Sequence, residues 1–170
     1  SQKLKWGVNY NNYNIWIDKE KSDFRIIKSE NINSNINDFK NDETLHRIGS
    51  RFLNKNLNCF FTMANKTTYQ NNNKGSGGGW HRDRTYANSY KTLLYLNDVT
   101  NENGPFQYLK KSFSIKNHLL SVDKLDKNQF DNFEIEKMSK KYFVETVIAN
   151  AGDLVLFNPN GIHRGKPINK

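Results

Sequence analysis

The sequence predicts a mainly β fold, an antiparallel double-sheet barrel, and three features carry that expectation. Short runs of β-branched, leucine and aromatic residues recur at close spacing, separated by Gly, Asn and Pro. The chain of 170 residues is only 35% hydrophobic, yet it holds 11 Phe, 8 Tyr and 3 Trp. That aromatic content suits pleated surfaces and argues against disorder. One helical spacing stands ahead of the strands. The length is natural for a single domain over residues 1–170, and no internal repeat or linker divides it.

From Ser1 to about Ser34 the chain is Asn-rich, with a short strand expected at Asn14-Ile15-Trp16-Ile17 and with Trp6, Trp16 and Ile26-Ile27 covering one edge of the core. Leu45, Ile48 and Phe52 then fall at helical spacing behind Asp42, a natural N-cap. His46 lies on that helix with no partner at ligand spacing and reads as an ordinary helix residue. Asn58 to Ala64 has strand length, and the polar stretch Asn65 to Lys74 reads as a loop. Tyr90 to Leu96 is the clearest strand. Asn97-Asp98 with Asn103-Gly104-Pro105 marks a turn, and Phe106 to Leu109 returns as the next strand. Residues 114–141 are charged and partly helical in pattern, an expected insertion or lid. Tyr142 to Ile148 and Asp153 to Phe157 are two further strands, split by Asn150-Ala151-Gly152.

Composition bounds the setting. No apolar run approaches the roughly 18 residues that span a membrane, and no stretch near Ser1 reads as a secretory signal. The single Cys59 cannot form an internal disulfide and reads as a small packed hydrophobe, so a reducing compartment, the cytoplasm, is expected. The net charge of +9 is spread over scattered lysines without an Arg-rich stripe. It reads as a solvated surface rather than a nucleic-acid footprint.

The stretch Gly75-Ser76-Gly77-Gly78-Gly79-Trp80-His81-Arg82-Asp83 concentrates the chemistry. In extended backbone His81 and Asp83 share a face, while Arg82 turns away toward a neighbouring loop. An imidazole beside a carboxylate is two thirds of a 2-His-1-carboxylate facial triad, a common holder of non-haem Fe(II). Of four histidines, His46 is set aside and nothing adjacent to His118 suggests a ligand. His163 remains, after the turn Asn158-Pro159-Asn160-Gly161. Taken alone, His-x-Asp is a weak pattern. The glycine run is no phosphate loop, since no Gly-Lys-Ser/Thr follows it, and it lets backbone pass close to the site. Trp80 is expected in the core.

The motifs become specific in combination. Gly79-Trp80-His81-Arg82-Asp83, the run Lys91 to Val99, Glu102-Asn103-Gly104-Pro105-Phe106, Lys111-Ser112-Phe113 and Gly152-Asp153 through His163-Arg164-Gly165 occur in one order. This series resembles the phytanoyl-CoA dioxygenase family of Fe(II)/2-oxoglutarate oxygenases, over roughly residue 58 to the end. The resemblance implies a double-stranded β-helix (jelly-roll, cupin-like) core with a few flanking helices. It also implies a metal triad of His81, Asp83 and His163, with Fe(II) as metal, 2-oxoglutarate as co-substrate, and a small-molecule substrate and O2 as partners. The cofactor carries out the hard step while the protein positions the C–H bond. Related halogenases lack the carboxylate of the triad, so Asp83 favours hydroxylation.

One departure concerns the co-substrate. The family usually places an Arg roughly ten residues after the distal histidine, where its fork pairs with the far carboxylate of 2-oxoglutarate. This sequence ends at Lys170, so either it is truncated or another cation serves. Arg164 points away from the metal face if its strand continues. Lys91, at the start of a core strand, is the candidate anchor, with Thr62 and Asn65 as hydrogen-bonding candidates. Two competing functions are a non-catalytic jelly-roll binding module and an alkylated-nucleic-acid demethylase, which shares the His-x-Asp…His logic.

Overall fold

A computed structural model describes residues 9–10, 13–56, 59, 61–83, 89–113 and 128–169. The described chain is mainly β with few helices, and all of its strand pairs are antiparallel. It forms two compact units, Ser1–Gln70 and Asn71–Lys170, each built around its own sheets. The part of the expected lid over residues 114–127, with His118, lies outside the described residues, as does Trp6.

In the first unit, β1 (Asn9–Tyr10), β2 (Tyr13–Ile17), β3 (Asp23–Ile27) and β4 (Met63–Thr67) form one sheet in that spatial order. The strand expected over Asn14–Ile17 is β2. The β2–β3 hairpin is closed by Asp18, whose Oδ1 accepts the backbone N–H groups of Ser22 at 2.6 Å and Asp23 at 2.9 Å. The boundaries expected further on need correction. β4 starts at Met63 and continues through Asn65 to Thr67, where a loop was expected; Asn58 and Phe60 of the expected Asn58–Ala64 strand lie outside the described residues. Polar residues hold this strand because β3 supplies partners: Arg25 lies opposite Asn65, and the Asn65 Nδ2 donates to Asp23 Oδ1 at 2.9 Å.

The helix expected behind Asp42 is present as α2 (Glu43–Leu53), with Asp42 Oδ1 accepting from the Leu45 N–H at 2.8 Å and Asn54 ending it in the left-handed conformation. Ahead of it lies α1 (Ser34–Lys40), which hydrophobic spacing does not signal. Its start is set by the Asn33 side chain, which accepts from Asn35 and Ile36 N–H groups.

In the second unit, β5 (Lys91–Leu94) pairs with β8 (Leu154–Phe157), and β6 (Phe106–Leu109) lies between β7 (Val144–Val147) and β9 (His163–Gly165). β5, β6, β7 and β8 are the strands expected from Tyr90 to Leu96, Phe106 to Leu109, Tyr142 to Ile148 and Asp153 to Phe157, β6 with the expected bounds and the others shorter, while β9 is not among the expected strands. Residue alternation gives the β7-β6-β9 sheet two chemically distinct faces. Leu109 and Ile162 point to one face, where they form the core with Trp80, Phe130 and Ile135. Ile135 comes from α3 (Asn132–Ser139), started by a capping box between Asp131 and Glu134. Fully burying Leu109 and Ile162 contributes about 2 kcal/mol each. The opposite face carries Phe106, Tyr108 and His163, with rings in mutual contact: Phe106 and His163 centroids lie 5.8 Å apart, and Tyr108 and His163 stack at 6.5 Å.

Candidate metal centre

The segment Trp80–Asp83 extends the β7-β6-β9 sheet beyond β9. His81 and His163 face each other as an antiparallel pair, exchanging both backbone hydrogen bonds at 2.9 Å. On its other side the segment meets residues 128–130, with Arg82 N–H donating to Asn128 O and Phe130 N–H to Trp80 O. Direct pairing puts both imidazoles on one face, and the alternation His81-Arg82-Asp83 brings the carboxylate to that face. One ligand atom from each of His81, Asp83 and His163 falls within 4.8 Å of the others. His81 Nε2 is 3.8 Å from Asp83 Oδ1, and the two imidazole centroids are 4.4 Å apart.

Each histidine is oriented by the same local device. His81 Nδ1 lies 2.9 Å from Gly79 O, and His163 Nδ1 lies 2.8 Å from Gly161 O. A carbonyl accepts only from a protonated nitrogen, so a proton sits on Nδ1 and Nε2 is the nitrogen turned toward a metal. Burial, reinforced by the neighbouring His81, pushes His163 down to about 4, so it is neutral and ready to ligate. For Asp83, burial alone would raise the carboxyl. The ammonium of Lys91 outweighs it and holds the group below its ordinary range. Glycine is required at 77, because a Cβ there would lie 2.1 Å from His81 Cε1. The donor set therefore fits a divalent transition metal: two imidazoles and one ionised carboxylate on one face.

The structure brings Lys91 to this site. It starts β5 opposite Phe157, and its Nζ pairs with Asp83 Oδ2. Phe157 packs its ring 5.1 Å from His163 on the same side. Thr62 and Asn65 belong to the first unit. There Thr62 donates through its N–H and hydroxyl to Glu30 Oε2, and Asn65 donates to Asp23.

The neighbours of the ligands face the core side, as alternation requires. Trp80 is buried. The Arg82 guanidinium, also buried, donates to Ser112 O at 3.0 Å, and desolvation lowers it to about 10. Arg164 turns away from the metal face and lies over Trp80. His46 is engaged through Nε2 with Lys40 O at 2.7 Å. Spacing alone did not single out Ser112. Its hydroxyl donates to Leu109 O and accepts the Ile162 N–H at 2.7 Å, which fixes the backbone one residue ahead of His163. The signal was present in Lys111-Ser112-Phe113, where Lys111 takes a positive φ of 65° to make the turn.

The model of the phytanoyl-CoA dioxygenase (PhyH) family matches residues 10–169. The chain belongs to the phytanoyl-CoA dioxygenase family. That match spans both compact units, so the first unit's sheet is part of the family pattern as much as the histidine-bearing sheet is. Family membership supports an Fe(II)/2-oxoglutarate oxygenase type of chemistry, and the cluster of His81, Asp83 and His163 offers a place for the metal. No curated protein matches this phytanoyl-CoA dioxygenase family chain. No helix among the described residues is long and apolar enough to cross a membrane.

Proposed function

We propose that this chain is an Fe(II)/2-oxoglutarate-dependent dioxygenase that hydroxylates a small or carrier-linked organic substrate, releasing succinate and CO2. The observation that carries the proposal is the 4.8 Å grouping of His81, Asp83 and His163 ligand atoms, with both Nδ1 positions already committed to carbonyls. His81, Asp83 and His163 would hold the metal on one side and leave the opposite side for exchangeable ligands. Fe(II) bound there supplies the oxidising chemistry that couples decarboxylation of the 2-oxo acid to hydroxylation of a C–H bond.

The protein's own contribution is orientation and protection. Gly79 and Gly161 carbonyls hold the two imidazole protons at Nδ1, and Asp83 stays ionised. Phe106, Tyr108 and Phe157 surround the His163 ring with aromatic surface and keep water from it. Lys91 has two uses in this proposal. Its ammonium stabilises the Asp83 carboxylate before a cation arrives, and it then turns to the far carboxylate of 2-oxoglutarate. The fold we propose is the jelly roll of the family, and the setting is the cytoplasm, where Fe(II) and the free thiol of Cys59 stay reduced.

The test is formation of succinate from 2-oxoglutarate by the Fe(II)-loaded protein under air, with and without a panel of substrates. Turnover that disappears in Asp83→Ala is the expected result. Absence of both coupled and uncoupled turnover in wild type, despite bound Fe(II), would remove the proposal.

A further inference from the structure

The metal ligands are carried by a thin piece of sheet. His81 meets β9 through one isolated pair, with a glycine run ahead of it in which Gly75, Gly77, Gly78 and Gly79 all have positive φ. Such backbone does not fix the separation of two imidazoles to the few tenths of an ångström that a metal centre requires. A stiffer element must lie behind it. The positions paired across the sheet on the core side identify one.

Continuing the His81–His163 register places Trp80 opposite Arg164, and the β6–β9 register places Arg164 opposite Gln107. The Arg164 guanidinium carbon lies 4.4 Å from the Trp80 ring centroid. Its Nε donates to Gln107 Oε1 at 2.8 Å, and its NH1 donates to Asn132 Oδ1 at 3.3 Å. Gln107 is itself held, since its Nε2 donates to Thr146 Oγ1 at 2.9 Å on β7. One planar side chain thus runs from β6, across its own strand, over the residue preceding His81, to the first residue of α3. Residues 128–130, immediately ahead of that helix, pair with the far side of the His81 segment.

Resting on the assignment of His81, Asp83 and His163 as a metal site, we propose that Arg164 is the positioning residue of that centre. Its strap across the core face fixes the distance between the two histidine-bearing segments, without contact with metal or substrate. A stacked guanidinium suits this task where an ammonium does not. The flat face lies on the indole while the in-plane N–H groups reach partners on either side. Because Arg164 adjoins one ligand and Trp80 the other, each contact of the guanidinium bears on the spacing of the pair.

The experiment uses Co(II), which binds such donor sets and reports coordination geometry through its visible absorption. Affinity and spectrum are measured anaerobically for wild type, Arg164→Lys, Asn132→Ala and His81→Ala, with thermal unfolding of each metal-free protein. Arg164→Lys keeps the charge and much of the stem but loses the fork. It is expected to weaken Co(II) binding about ten-fold and to alter the absorption, in the range seen when residues supporting metal ligands are removed. Asn132→Ala, at an exposed helix start where misfolding is not a concern, is expected to weaken binding in the same direction by a few-fold. Folded Arg164→Lys and Asn132→Ala proteins with wild-type affinity and spectrum overturn the proposal, whatever their melting temperatures. If His81→Ala binds Co(II) as wild type does, the metal-site assignment fails and this proposal with it. Loss confined to His81→Ala leaves the site standing and removes only the role of Arg164.

Discussion

His81 and His163 exchange both backbone hydrogen bonds at 2.9 Å, although they lie 82 positions apart in the sequence. The pairing makes a single structural fact out of two distant motifs. It sets both imidazoles on one face, while the next residue on each side, Arg82 and Arg164, is turned to the core.

Lys91 separates two properties that a metal ligand would couple. In Lys91→Met the ammonium no longer occupies Asp83, so Fe(II) affinity is expected to be equal or tighter. Affinity for 2-oxoglutarate is expected to fall by about ten-fold or more, the cost of leaving a carboxylate without its charged partner. Calorimetry on metal-loaded protein checks both numbers. Unchanged 2-oxoglutarate binding would remove Lys91 as the anchor.

The glycine run offers a comparison inside one loop. Gly77 and Gly78 both have positive φ, at 87° and 74°, so alanine at either costs roughly 1–2 kcal/mol of backbone strain. Only at Gly77 would the new Cβ strike the His81 ring, since nothing lies within 4 Å at Gly78. Gly77→Ala is therefore expected to lose metal affinity at least ten-fold, with Gly78→Ala close to wild type. Equal metal affinities in the two variants, measured by Co(II) titration, would contradict the packing of Gly77 against His81.

Acid stability should depend on Glu30 in the first unit. Burial alone would raise its carboxyl. The Thr62 hydroxyl and N–H, with Lys40, outweigh that and lower it to about 2, against an ordinary 4.5. The folded value lies below the unfolded one, so the contribution is complete above the unfolded value and is lost as pH falls through the folded value. Glu30→Gln is expected to cost on the order of 2 kcal/mol above about pH 5, with the difference from wild type closing as pH approaches about 2. Urea unfolding at a series of pH values checks this, and a difference independent of pH would contradict it.

The parts of the fold legible in the sequence are those whose signal is local. β5, β6 and β8 announce themselves by consecutive leucine, β-branched and aromatic residues, and α2 by Asp42 and the spacing of Leu45, Ile48 and Phe52. Met63–Thr67 reads as half strand and half loop because its stabilising partner, Asp23, lies 42 residues away. α1 rests on one Asn33 side chain rather than on a hydrophobic stripe, and none of its residues is buried.

The same division runs through the site. The metal triad is legible because i, i+2 spacing on a strand is a rule of geometry, and so is the turn of Arg82 and Arg164 away from the metal face. The Nδ1 acceptors are not, since a carbonyl at Gly79 or Gly161 becomes a partner only through the path of the backbone. Nor is the ion pair of Lys91 with Asp83, which depends on how two sheets of the second unit face each other.

The most direct measurement is anaerobic Fe(II) titration of wild type beside His81→Ala, Asp83→Ala and His163→Ala. One equivalent bound by wild type, with at least a hundred-fold loss of affinity in each variant, is the expected result. Fe(II) bound with wild-type affinity and stoichiometry by all three variants would contradict the metal centre on which the proposed chemistry stands.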